Sequence, residues 1–197
     1  MEQQAATPQT KITSGAGFFH RLLARAVDMA FGHALGFGSA FFAGIILSIL
    51  EVAGLASPGW EQRMGITGIR GVLLGIVGFT LYHTVMEGMH GSSVGKMICR
   101  LQVVTSDGQR CGMKGAALRN LAFWMDSLFF GAVGYGAMHL SPLNLRFGDY
   151  WAKTVVVKAR DVPEDARASM GTFILSLFLA VSGWGLITLI ALILRAV

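Results

Sequence analysis

Three apolar runs in this chain are each long enough to cross a bilayer, and that recurrence limits the fold more than any other feature. The first, at 29–50, would form a helix of about 33 Å, against a hydrocarbon core of about 30 Å. The second lies at 68–89 and the last at 171–194. Between them, 116–140 is apolar but interrupted by Arg119 and Asp126 and loosened by Gly131, Gly134 and Gly136. Charged residues make up only 14% of the chain, where a soluble domain carries about 25%, so the composition argues against a water-soluble fold. The reading is an all-α membrane protein with four hydrophobic segments, the third a candidate re-entrant element, and a short cytoplasmic pair of β-strands.

Charge sets the expected orientation. The formal net charge is +5, and the segment 90–115 carries Lys96, Arg100, Arg110 and Lys114 against the single acid Asp107. The positive-inside rule places that loop in the cytoplasm, together with the N-terminus and its Lys11, Arg21 and Arg25. No basic run with interleaved aromatics occurs, which argues against a nucleic-acid partner. Cys99 and Cys111 fall in the same loop and are expected to stay reduced. Cys99, Leu101 and Val103 alternate with polar residues up to Asp107-Gly108, the pattern of a strand entering a turn, and a second β-branched run follows at 154–157. If these strands pair, both ends of the third segment share one side. The domain reading is a disordered tail at 1–16, a membrane domain at 17–158, a linker at 159–170 and an additional transmembrane helix at 171–197. A Pro58-Gly59 turn and an interfacial Trp60 are expected between the first two spans.

Sliding the chain by 98 residues lays 17–38 over 115–136 with nine identities in 22 positions. About two would arise by chance. Arg21, Ala24 and Asp28 meet Arg119, Ala122 and Asp126. An Arg and an Asp seven apart share a helix face, so the Asp lies about 10 Å deeper than its Arg. A carboxylate carried toward hydrocarbon must pair, protonate or face a wet cavity. Asp28, Asp126 and Glu87 are therefore candidate ion- or proton-binding residues, with the two aspartates expected near a common centre. Arg21, Arg25, Arg119, Asp149 and Lys153 form a candidate charge network. The same Arg and Asp side chains serve equally as anchors between helices.

His83, Glu87 and His90 have i, i+4, i+7 spacing, which fits interfacial hydrogen bonding, a proton relay, or a divalent-metal site that lacks a fourth ligand. Gly91-Ser-Ser-Val-Gly95-Lys96 invites comparison with a phosphate-binding loop but has His90 where that motif needs Gly and Met97 where it needs a hydroxyl. No nucleophile stands at readable spacing from a base, and no cofactor fingerprint occurs, so the chain is not expected to be an enzyme or to hold a cofactor.

Five segments carry a family resemblance: 17–28 (GFFHRLLARAVD), 93–104 (SVGKMICRLQVV), Ala117-Leu-Arg-Asn120, Arg146-Phe-Gly-Asp149 and Ala152-Lys-Thr-Val-Val156. Together they resemble the RDD family of bacterial membrane proteins. By that resemblance the family's arginine falls on Arg21, its first aspartate on Asp28 and its second on Asp149, with Asp126 the other position. Two features depart from the family: the apolar stretch after Asp126 is short, and the span from Gly171 is extra. The resemblance implies a multi-pass protein of the bacterial inner membrane that transports unidentified ligands, with sodium/proton exchange among the suggested activities. The expected partners are the bilayer and either further copies of the chain or a partner membrane protein. The competing reading is a non-transporting assembly or scaffold subunit, whose Gly32-x-x-x-Gly36 and Gly71-x-x-x-Gly75 faces pack against other helices.

Overall fold

A computed structural model describes residues 12, 14–55 and 68–196. Helix α1 runs over Phe18–Val52 and α2 over Gly68–Met89. A short helix α3, Val94–Ile98, leads into strand β1, Leu101–Thr105. Helix α4, Gly112–Asp126, is followed by a 3-10 turn at Leu128–Gly131 and helix α5, Ala132–His139. A second short helix α6, Phe147–Trp151, leads into strand β2, Thr154–Lys158, and the chain ends in α7, Met170–Ala196. The turn expected at Pro58 to Trp60 and most of the expected tail lie outside the described residues.

The chain is a helical membrane protein. Among the described residues, Gly71–Met89 and Glu164–Ile190 are long and apolar enough to cross a membrane, and the α4–α5 pair makes a third if counted as one span. The apolar run at 29–50 lies within α1, although several of its side chains fall outside the described set. Lipid-facing character is plain on α7, where Ile174, Phe178 and Leu186 stand exposed, while Phe173 and Ala180 pack with Tyr82 and Met86 of α2. A Cβ on Gly78 would fall inside the indole of Trp184, so α7 closes on α2 only because that side chain is missing.

The third segment is broken as its sequence suggests. α4 and the following helical stretch meet at 101°. Phe129, Phe130 and Gly131 all take positive φ, at 51°, 58° and 85°. That reverses the chain's sense at a cost of about 1–2 kcal/mol for each non-glycine residue. α6 then runs back along α4, with Phe147 beside Asp126 and Ala152 beside Gly115. β1 and β2 pair antiparallel, Leu101 opposite Lys158 and Thr105 opposite Thr154, so the segment leaves and rejoins the same small sheet. This is the geometry a re-entrant element requires. Val103 and Val156 form part of a core on one face of the sheet, while Val104, Val155 and Val157 pack with Val162 and Ala166 on the other. Ala16 is buried in the first of these cores, and its N–H donates to the carbonyl of Val156, so the last residue assigned to the tail belongs to the fold.

The two halves share more than their first helices. α3 and α6 start 53 residues apart, and so do β1 and β2. Arg100 and Lys153, at equivalent positions before each strand, both take left-handed φ, 53° and 51°. Val103 and Val156 are equivalent and lie directly opposite each other, so a local twofold passes between them.

The Trp184 contact predicts a reversal of sign. Gly78→Ala should lower stability by about 1–3 kcal/mol through overpacking. In a Trp184→Leu background the same change should be neutral or stabilising, because Ala is the better helix former by about 1 kcal/mol. Thermal unfolding of the four proteins in detergent checks this.

Candidate functional site

Three helix faces converge at the twofold. α1 contributes Arg21, Arg25 and Asp28 at i, i+4 and i+7, and α4 contributes Arg119, Phe123 and Asp126 at the same spacing. α2 adds His83 and Glu87, one turn apart. α3 supplies Lys96 and α6 supplies Asp149, with Arg146 at the latter's N-cap.

Two carboxylates sit inside basic clamps. Asp149 Oδ2 accepts from Arg21 Nη1, and its Oδ1 lies 3.0 Å from Arg119 Nη2. Glu87 pairs with Lys96 through Oε1 and lies 3.4 Å from Arg119 Nε through Oε2, which also accepts from Asn120 Nδ2 at 3.2 Å. Arg119 thus joins both clamps. The side chains of Arg21, Arg119, Glu87 and Asp149 are all essentially buried, so these pairs are shielded from solvent screening. Burial alone would raise the Asp149 carboxyl, but the Arg119 and Arg21 guanidiniums hold it well below the usual carboxylate range. Burial pulls the Lys96 ammonium down to about 8, even with Glu87 beside it.

The other two carboxylates cap helices. Asp28 Oδ1 accepts from the Gly95 N–H at 2.7 Å and from Tyr82 Oη at 3.1 Å, and Oδ2 accepts from Ser93 Oγ at 2.6 Å. A Cβ on Gly95 would collide with the Ala24 carbonyl and reach 2.9 Å from the Asp28 carboxyl carbon. The Gly91–Lys96 loop is therefore an anion cradle after all, and its anion is the chain's own Asp28. Asp126 repeats the arrangement on α6, accepting from the N–H groups of Phe147 and Gly148 at 3.3 and 3.5 Å. Gly148 is bare for a similar reason, since its Cβ would lie 2.8 Å from the Arg119 carbonyl.

His83 stands between the acids, with Nε2 3.9 Å from Asp28 Oδ2 and Nδ1 3.3 Å from Glu87 Oε1. Neither ring nitrogen has hydrogen-bond geometry to a partner among the described residues. The Arg25 guanidinium lies 3.6 Å from the centroid of Phe123, its counterpart across the twofold, and 4.9 Å from that of Phe79. A cavity of about 20 Å³, enough for a water, opens among these groups, bordered by Asp28, His83, Lys96 and Asp126 as well as the arginines.

Asp28, Asp126 and the Arg21–Arg119–Asp149 network thus meet as their spacing suggests, and Glu87 joins them. Two expected residues do not. Lys153 is exposed, its role being the left-handed turn into β2. His90 packs edge-on to Phe173 of α7, with ring centroids 5.0 Å apart, while His83 and Glu87 turn into the charge cluster. This corrects the His83–Glu87–His90 metal reading: among the described residues no three His, Cys, Asp or Glu side chains are placed to hold a metal. Sequence reasoning missed Lys96, Asn120, Phe123 and Arg146 as members of the cluster. The signal for Phe123 was present, because it is the position matched to Arg25.

The fold and cluster define a small polytopic membrane protein whose helices meet at a buried, ionised core. A family model for the RDD family matches residues 15–153, and the chain belongs to that family. The match spans α1 to α6 and ends before β2 and α7. Comparisons with curated proteins and with solved structures find no match.

Asp149→Asn should destabilise the protein by about 3–5 kcal/mol, because it leaves two buried guanidiniums sharing a neutral partner. The carboxyl is depressed in the folded state, so its stabilisation is complete above the unfolded value of about 3.9 and is lost as pH falls below it. Unfolding midpoints measured across acid pH should drop for the wild type and flatten for the variant.

Proposed function

We propose that this chain is a proton-coupled small-solute transporter of the bacterial inner membrane, with its N-terminus and sheet on the cytoplasmic side. The observation that carries the reading is the buried row Asp28–His83–Glu87 beside a water-sized cavity. An imidazole between two carboxylates takes a proton on one nitrogen and gives one from the other, so a rocking movement of α1 against α2 would load or release it. Direct coordination of a metal cation is the weaker form of the transport reading. The carboxylates already accept from Gly95, Ser93, Lys96 and the arginines. The second reading, an assembly subunit, draws on a different observation: the Arg21–Asp149–Arg119 clamp ties α1, α4 and α6 together as a structural bolt would.

Purified protein in liposomes loaded with a pH-sensitive dye separates the two. Proton flux driven by gradients of sodium, potassium, lithium or small anions is expected above the empty-liposome background, with Asp28→Asn and His83→Gln each lowering it at least tenfold. Background-level flux with every solute would sink the transport reading and leave the assembly one. Topology has its own test, in a protein whose native cysteines are replaced by serine. Cysteines placed at Asp107 and Ser141 should label from one side of the membrane, and opposite-side labelling would exclude re-entry of the α4–α5 pair.

A further inference from the structure

The cluster's charges do not cancel. Arg21, Arg25, Lys96, Arg119 and Arg146 face Asp28, Glu87, Asp126 and Asp149, which leaves one positive charge over when His83 is neutral. The carboxylates are also the more fully occupied side. Asp28 takes three donors, Glu87 takes Lys96, Arg119 and Asn120, Asp149 takes two guanidiniums, and Asp126 takes two backbone N–H groups. Donors remain on the basic side. Arg21 Nη2 and Arg119 Nη1 are buried with no hydrogen-bond partner among the described residues, on side chains only 2% and 4% exposed. Arg25 and Arg146 make no ion pair there either, and both lie over the ring of Phe123, at 3.6 and 5.9 Å. All four arginines border the same cavity.

We infer that this cavity is a binding site for one small monovalent anion, a halide or a carboxylate of formate size. One negative charge cancels the surplus, and the anion accepts from the two idle guanidinium N–H groups, which are strong donors to such ions. The cavity, about 20 Å³, is too small for a phosphate diester head group with its glycerol. The inference deepens the transport reading by naming the solute's charge and size, but it rests on binding and can be judged without flux.

The test is unfolding of the detergent-solubilised protein as chloride or formate replaces gluconate at constant ionic strength, gluconate being too large to enter. The midpoint should rise saturably, by about 5 °C or more at a hundredfold excess over Kd. Arg25→Gln should weaken that response at least tenfold, and Arg100→Gln, at an exposed site, should leave it intact. A midpoint indifferent to the anion, or a response unchanged in Arg25→Gln, would overturn the site. So would competition by added anionic phospholipid, which would make it a head-group site. Should Arg25→Gln fail to fold, chloride-35 line broadening by the wild type decides: broadening reversed by formate supports the site, and its absence overturns it. Anion binding without liposome flux sinks transport and keeps the site. Flux without anion-dependent stability does the reverse.

Discussion

Burial of the Asp149 carboxylate between Arg21 and Arg119 fixes the geometry on which the other contacts depend. Three charges taken out of water are tolerable only when each finds its partners, and those partners come from α1, α4 and α6. Once Arg119 is held there, its Nε reaches Glu87, which brings in α2 and Lys96 of α3. The small sheet, the two short helices and the bend after Asp126 all serve this arrangement by returning the chain to the same point. The hydrophobic surfaces contribute area and hold the helices in the bilayer, but lipid is as apolar as they are, so they do not select one arrangement among many. The ionised core does.

Much of this was legible in the sequence. The spans at 68–89 and 171–194 follow from apolar length alone, and α2 and α7 occupy nearly the same residues. The strand pair followed from alternation, and the bend from glycines after a charged half-helix. The match of Arg21 and Asp28 to Arg119 and Asp126 located the two principal helices of the site. What stayed hidden has a physical cause. The equivalence of α3–β1 with α6–β2 sits at an offset of 53 rather than 98, because a full helix, α2, separates the first pair of elements and only the short bent stretch separates the second. Lys96 and Asp149 occupy matched places with opposite charge, so no identity marks them. The cradle at Gly91–Lys96 read as a failed phosphate loop because sequence shows donors without showing which acceptor reaches them. The His90 error has a similar origin: helical spacing gives a shared face only approximately, and α7 drew that ring aside.

α7 lies outside the residues matched to the family, yet it is not loosely attached. Its Trp184 occupies the room left by Gly78, a Cβ on Gly32 of α1 would lie 3.6 Å from the same indole, and its Ser176 hydroxyl reaches the Met86 sulfur. It covers the side of α2 that faces away from the charges. That shields the back of the helix carrying His83 and Glu87, so any movement of those residues has to be shared with α7.

The local twofold between Val103 and Val156 has a historical consequence. A half-length ancestor with one helix, one short helix and one strand would have paired strands with a second copy of itself across that axis, as isologous dimers do. In such a dimer the residue at the Lys96 and Asp149 position must be the same in both halves, and two like charges would face a shared centre. Joining the halves in one chain releases that restriction. Lysine in one half and aspartate in the other is a division of labour closed to a homodimer of identical chains, and the asymmetry gives the centre a polarity that such a dimer could not have.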